Sequence, residues 1–195
     1  MVAVSDVALK EWAVICHELA AGRQILLLRK GGIREPGAAF GVEHRGFFLF
    51  PTYFHEKADD LAPQTLALLP AIAAAAPPAG ALRLDLYASV ERVWESPTLE
   101  PLRRLDGQHG LAWQAVERRF RYRRPGLHVL ALRVHRLALP IALPNLSRYD
   151  GCHSWVRLES AFPTAHTRAV LDDHAFACRL AAVSEALADV RSVAT

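Results

Sequence analysis

The stretch LHVLALRV, residues 127–134, constrains the fold most, because it is the clearest β-strand signal in the chain and follows directly on the helix-breaking pair Pro125-Gly126. Leu82, Leu84 and Leu86 alternate with Arg83, Asp85 and Tyr87, the period of a half-buried strand. Ile25 to Leu28 and Phe47 to Phe50 form two further buried strands, the second ending at Pro51. A proline-rich loop through Pro140 and Pro144 leads to a short strand around Ser154 to Leu158. Between these lie helical patterns. Ser5 or Asp6 caps a first helix carrying Ala8, Trp12, Ile15, Cys16 and Leu19 on one face, and Gly22 stops it. Thr52 caps a helical turn carrying His55 and Glu56, and the alanine-rich run to about Ala76 is a helix broken at Pro70. Trp113, Val116 and Phe120 return to helical spacing, and Phe176, Leu180, Val183, Leu187 and Val190 mark a last helix capped by Asp172 or Asp173. Strands and helices are mixed without regular βαβ alternation, so the class is α+β. Connections this irregular predict one mainly antiparallel, curved sheet or partial barrel with the Trp12 helix packed against it. A helix in that position brings Glu11 to Arg29, and the pair fixes the loop that follows.

At 195 residues the chain has the size of one well-buried domain, 1–195, and is short for two. The apolar stretch LALLPAIAAAAPPAGAL is interrupted by Pro70, Pro77 and Pro78 and falls short of the roughly 20 residues of a membrane span. The start, MVAVSDVALKEWAV, lacks the basic region and long apolar run of a secretory signal. Cys16, Cys152 and Cys178 are widely spaced, with no paired-cysteine motif for zinc or a redox dithiol. The expectation is a cytoplasmic protein with reduced thiols, no membrane contact and no cofactor.

Net charge is +3, but it is unevenly placed: Arg118, Arg119, Arg121, Arg123 and Arg124 crowd one stretch with only Glu117 among them. Such a cluster follows a phosphate backbone or forms a solvated helix face. QILLLRKGGIRE, residues 24–35, poses a similar choice. Gly31 and Gly32 permit backbone amides to form an anion-binding nest, with Arg29, Lys30 and Arg34 supplying charge and Glu35 beside them. Gly-Gly is equally a common hairpin turn whose flanking charges keep its tip solvated. No phosphate-loop or dinucleotide-binding spacing is present. His44-Arg45 and His55-Glu56 are too far apart along a strand for joint metal ligation. His109 and His153 each lie beside glycine and near a tryptophan, Trp113 and Trp155, which is the composition of a pocket with a polar handle and a stacking wall or of a tied-down loop. No nucleophile elbow or partnered cysteine supports hydrolase chemistry.

The segments ALKEWAVIC, QILLLRKGGIRE, VEHRGFFLFPTYFHE, LHVLALRVHRL and GCHSW, in that order, resemble the bacterial domain-of-unknown-function family 1802. The resemblance implies no assigned activity, at most an association with restriction-modification genes and so a link to DNA. Trp12, then Gly22-Arg23-Gln24, then a strand ending in Arg29 is similar to the start of ASCH domains, in the PUA-like group of small barrels that bind RNA or modified bases. In that pattern a lysine precedes a strand with Glu and Arg two apart; here Arg23 or Gln24 stands at the lysine and Leu27 at the glutamate. Two functions follow. A nucleic-acid-binding module, taking DNA or RNA, would use Arg29, Lys30, Arg34 and the arginines from Arg118 to Arg124 on phosphates, with Trp113 or Trp155 stacking on a base. An enzyme acting on a phosphorylated or nucleotide substrate would use His55, Glu56 or Glu35 as acid or base.

Overall fold

The structure, a computed structural model, describes residues 4–30, 44–53, 58–151 and 153–193. In chain order the elements are β1 (Val4–Trp12), α1 (Ala13–Ala20), β2 (Leu26–Arg29), β3 (Gly46–Thr52), α2 (Pro63–Leu66), α3 (Leu69–Ala74) and β4 (Ala81–Ser96). They continue with α4 (Glu100–Arg103), α5 (Trp113–Arg121), β5 (Leu127–Pro144), β6 (Trp155–Pro163), β7 (Thr167–Ala169), α6 (Asp173–Ala186) and β8 (Arg191–Val193). Among the described residues eight strands form one sheet, whose main path runs β2-β5-β4-β3-β1-β6, with β7 on β5 and β8 on β4. The pairings are antiparallel except β1 with β3, where Ala8 faces Phe48 and Trp12 faces Thr52. The class is the expected α+β with one mainly antiparallel, curved sheet.

The first helix differs from expectation. Residues 4–12 are a strand, and the helix begins only at Ala13. β1 lies between β3 and β6, so Val7, Ala8 and Leu9 are all buried, and two-sided burial blurs the alternation that marks a strand. Apolar residues at Ala8 and Trp12 then happen to extend the helical spacing of Ile15, Cys16 and Leu19 backwards. The Pro140–Pro144 segment is likewise strand, not loop. Pro140 falls between the pairs Leu84–Ile141 and Leu86–Arg136, where β5 carries more residues than β4 and a missing N–H costs no ladder bond.

That bulge reorganises the core. Leu82 and Leu84 pack with Phe48 and Phe50 on one face of the sheet, whereas Leu86, Ala88 and Val90 pack with Phe47 and Leu49 on the other. A strict period of two would have kept all the even-numbered residues together. α1 and α5 cover the larger face through Ile15, Leu19, Val116 and Phe120. The alanine-rich run breaks as expected: α2 ends at Leu66, and Pro70 sits in the first turn of α3, where its missing N–H is tolerated. α6 is capped by Asp172, whose carboxylate accepts from the Ala175 amide at 2.7 Å, but it stops at Ala186, short of the expected Leu187 and Val190, and Arg191–Val193 then form β8.

Gly46 opens β3 directly over the ring of buried Tyr87, and a Cβ there would collide with the Tyr87 hydroxyl. Gly46→Ala is expected to destabilise the protein by about 1–3 kcal/mol through overpacking, and by less when combined with Tyr87→Phe, as urea unfolding will show.

Candidate functional site

Parallel pairing of β1 and β3 brings their C-terminal ends side by side, with Glu11 opposite Pro51 and Trp12 opposite Thr52. The Thr52 hydroxyl donates to the Glu11 carbonyl at 3.2 Å. β2 lies beyond β5, β4 and β3 in the sheet order, yet the sheet curls far enough for Arg29, its last residue, to reach β1. Arg29 Nη1 donates to Glu11 Oε2 at 2.8 Å and to the Lys10 carbonyl at 3.3 Å. Glu11 Oε1 accepts from the Trp12 amide at 2.9 Å. The expected Glu11–Arg29 pair is therefore present, but it joins two strands instead of a helix and a strand. Its side chains are only 4% and 15% exposed, so both charges depend on one another.

Above this pair opens a cleft of about 580 Å³, within the range of small-ligand sites. Trp12, Phe50, Tyr53 and Tyr149 contribute its aromatic surface. Its charged lining is Lys10, Arg29, Lys30 and Arg119 against Glu11 and Asp150, four cations to two carboxylates, an excess of two positive charges. The lysines are held by backbone carbonyls. Lys30 Nζ donates to the carbonyls of Phe120 at 2.7 Å and Gly126 at 2.6 Å, and also to that of Arg124. All three ammonium donors are thus engaged, and the lysine clasps the C-terminus of α5. Burial, then neighbouring Arg124, lowers its pKa. Lys10 Nζ donates to the carbonyls of Tyr149 and, at 3.1 Å, Gly151. Arg119 Nη1 donates to the Leu28 carbonyl at 3.1 Å, and its guanidinium lies 4.9 Å from the Trp12 ring centre. Burial lowers its pKa, Glu11 opposes that, and Arg29 and Arg118 add to it. In their described contacts Arg29 and Arg119 each donate through one terminal nitrogen, and both residues line the cleft. His153 also lines it, its pKa lowered first by burial and then by Lys10.

The structure brings together only part of the residue set singled out from sequence. Arg29, Lys30 and Arg119 line the cleft. Arg118 pairs with Asp60 and Arg121 with Glu117, both arginines on the exposed side of α5. Trp113 is stacked by Arg103 at 4.4 Å, and Trp155 packs edge-on against Phe47 at 5.1 Å and His44 at 5.2 Å, so neither tryptophan borders the cleft. Gly31, Gly32, Arg34, Glu35, His55 and Glu56 lie outside the described residues. Lys10, Tyr53 and Tyr149 went unnoticed in the sequence; the signal for the first was the adjacent charge pair Lys10-Glu11 inside the otherwise apolar VALKEWAVIC. Among the described residues no three His, Cys, Asp or Glu side chains converge as metal ligands, and no helix is long and apolar enough to cross a membrane.

The family described as domain of unknown function (DUF1802) matches residues 8–182, a span that includes every described residue of the cleft named above. The chain belongs to that family. No curated protein matches this DUF1802 chain. It is similar to the crystal structure of ASCH from Zymomonas mobilis, at 13% identity over 79% of this chain and 87% of that one, with a TM-score of 0.44. It is also similar to a serine-to-alanine mutant of the same Zymomonas mobilis protein, at 12% identity over 79% and 88% of the two chains, with a TM-score of 0.45. Identity and overlap at this level leave the ligand of the DUF1802 cleft to be read from its own residues.

Two predictions concern the support of the cleft. Glu11→Ala leaves the Arg29 guanidinium buried without its carboxylate and is expected to cost about 3 kcal/mol or more in denaturant unfolding. His109, 4% exposed behind Arg119, accepts from the Leu111 amide at 3.2 Å through Nδ1, so its neutral ring carries the proton on Nε2. Burial pushes its pKa down to about 4. The unfolded chain, with its histidine near 6.5, therefore binds the proton first as pH falls. Stability should decline between pH 6.5 and about 4, by roughly 3 kcal/mol in total, and His109→Leu should flatten that decline in urea titrations.

Proposed function

We propose that the protein is a nucleic-acid-binding module whose cleft receives one nucleotide of a single strand. The observation that carries this reading is the excess of positive charge held in a cleft with aromatic walls. Lys30 and Arg119, tied to carbonyl oxygens, keep their charge, so an incoming phosphate meets a net positive field. Arg119 and Arg29 offer planar donors suited to phosphate oxygens. Trp12 and Tyr53 supply the aromatic surface on which a base stacks. Among the arginines of α5, Arg119 is the one assigned to the ligand, while Arg118 and Arg121 are paired with Asp60 and Glu117. The association with restriction-modification genes that the family resemblance implies places DNA beside RNA among the ligands to test.

Anisotropy titrations with labelled single-stranded and duplex DNA and RNA, at low and physiological salt, test the proposal. Single strands of either sugar type should bind more tightly than duplex, because only unpaired bases enter the cleft, and affinity should fall as salt rises. Arg119→Ala should weaken binding to all sequences alike and reduce the salt slope by about 1. Tyr53→Ala should cost about 1–3 kcal/mol on single strands and little on duplex. Arg121→Ala should leave the tight component intact. No binding to any of these at low salt would end the proposal, and turnover of a bound nucleotide would replace it with an enzyme.

A further inference from the structure

A second cleft, of about 300 Å³, adjoins the first, and Pro51, Tyr53 and Pro77 line both. Its walls are α1, through Cys16 and His17, the end of α3 at Ile72, and the β4–β5 ribbon through Arg83, Asp85 and Arg136. It also carries an excess of positive charge, two arginines to one aspartate. Arg136 Nη2 donates to the Ala20 carbonyl at 3.0 Å, which holds a guanidinium at the C-terminus of α1, and among the described residues no carboxylate forms an ion pair with it. Arg83 is tied to Asp85 at 3.0 Å.

From this continuity we infer that the protein engages two consecutive nucleotides of a single strand, one in each cleft, with the backbone passing over the partition of Pro51, Tyr53 and Pro77. The inference rests on the reading of the larger cleft as a nucleotide site. The partition argues for two small units and against one large ligand. Two prolines with fixed φ stiffen the backbone of the divider, and an aromatic side chain completes it. Each compartment has its own cations, which matches one phosphate per nucleotide along a strand. Tyr53, common to both, is the residue through which occupancy of one compartment favours the other. The second compartment is the smaller and lacks a counterpart to the buried Glu11–Arg29 pair, so it extends the site and the larger cleft anchors the ligand.

Calorimetric titration with a thymidine 5′-monophosphate, the 5′-phosphorylated dinucleotide and the trinucleotide tests this. The dinucleotide should bind at least about tenfold more tightly than the mononucleotide, since its second unit binds intramolecularly, and the third unit should add little. Arg136→Ala should bring the dinucleotide down to the affinity of the mononucleotide without changing mononucleotide binding, with circular dichroism confirming that the variant is folded. Equal affinities for mononucleotide and dinucleotide in the unaltered protein would overturn the inference and leave the larger cleft as a nucleotide site. A dinucleotide gain that survives the Arg136 substitution would overturn the assignment to this compartment. Failure of all three probes to bind at low salt would overturn the nucleotide reading itself.

Discussion

The ion pair between Glu11 and Arg29 does for this sheet what ladder hydrogen bonds do for a closed barrel. β1 and β2 are separated by three strands in the sheet order and share no backbone ladder, yet their ends meet through a 2.8 Å contact between nearly buried charges. Burying two ions gains little net stability, because desolvation offsets most of the attraction. Its effect is geometric. With the other carboxylate oxygen on the Trp12 amide, the pair joins the ends of β1 and β2 within a narrow range of separations. The carbonyls of Leu28 and Lys10, the positions of Arg119 and Thr52, and the floor of the cleft all follow from that closure.

The charges above the pair are held differently. Lys30 and Arg119 rest on carbonyl oxygens of Phe120, Gly126 and Leu28. A carbonyl is a dipole; it can position a cation while leaving its monopole unbalanced. A carboxylate partner would position and neutralise at once, as it does for Arg118, Arg121 and Arg157 on the surface. The contrast separates the cleft from the exposed arginines of α5, although both look alike as sequence.

What the sequence disclosed and what it concealed follow from the range of the interactions involved. LHVLALRV, Phe47–Phe50, α5 and the Asp172 cap depend on neighbours within a few residues, and each is legible. β1 was hidden because a strand with two partners buries successive residues on both faces, and its apolar run merges with the helix that follows. The face change between Leu84 and Leu86 coincides with a register shift against β5, which the alternation of β4 does not report. The site was legible only in fragments for the same reason. Glu11 and Arg29 could be matched as complementary charges in apolar company. The choice of Trp113 and Trp155 over Trp12 and Tyr53 needed the curl of the sheet, which no local pattern reports.

The place of β1 in the sheet also fixes the order in which the molecule can be completed. It precedes both of its partners in the chain, and its two ladders join Ala8 to Phe48 on one side and to Val156 on the other. Until residues beyond 155 have been synthesised, one edge of the strand that carries Lys10 and Glu11 has no partner. Pairing across so much chain incurs loop-closure entropy before contacts reward it, which places the fold among the slower topologies. A nascent chain therefore has most of its core before it has a whole sheet. The end of β1 that forms the floor of the cleft is held on both sides only when β6 arrives.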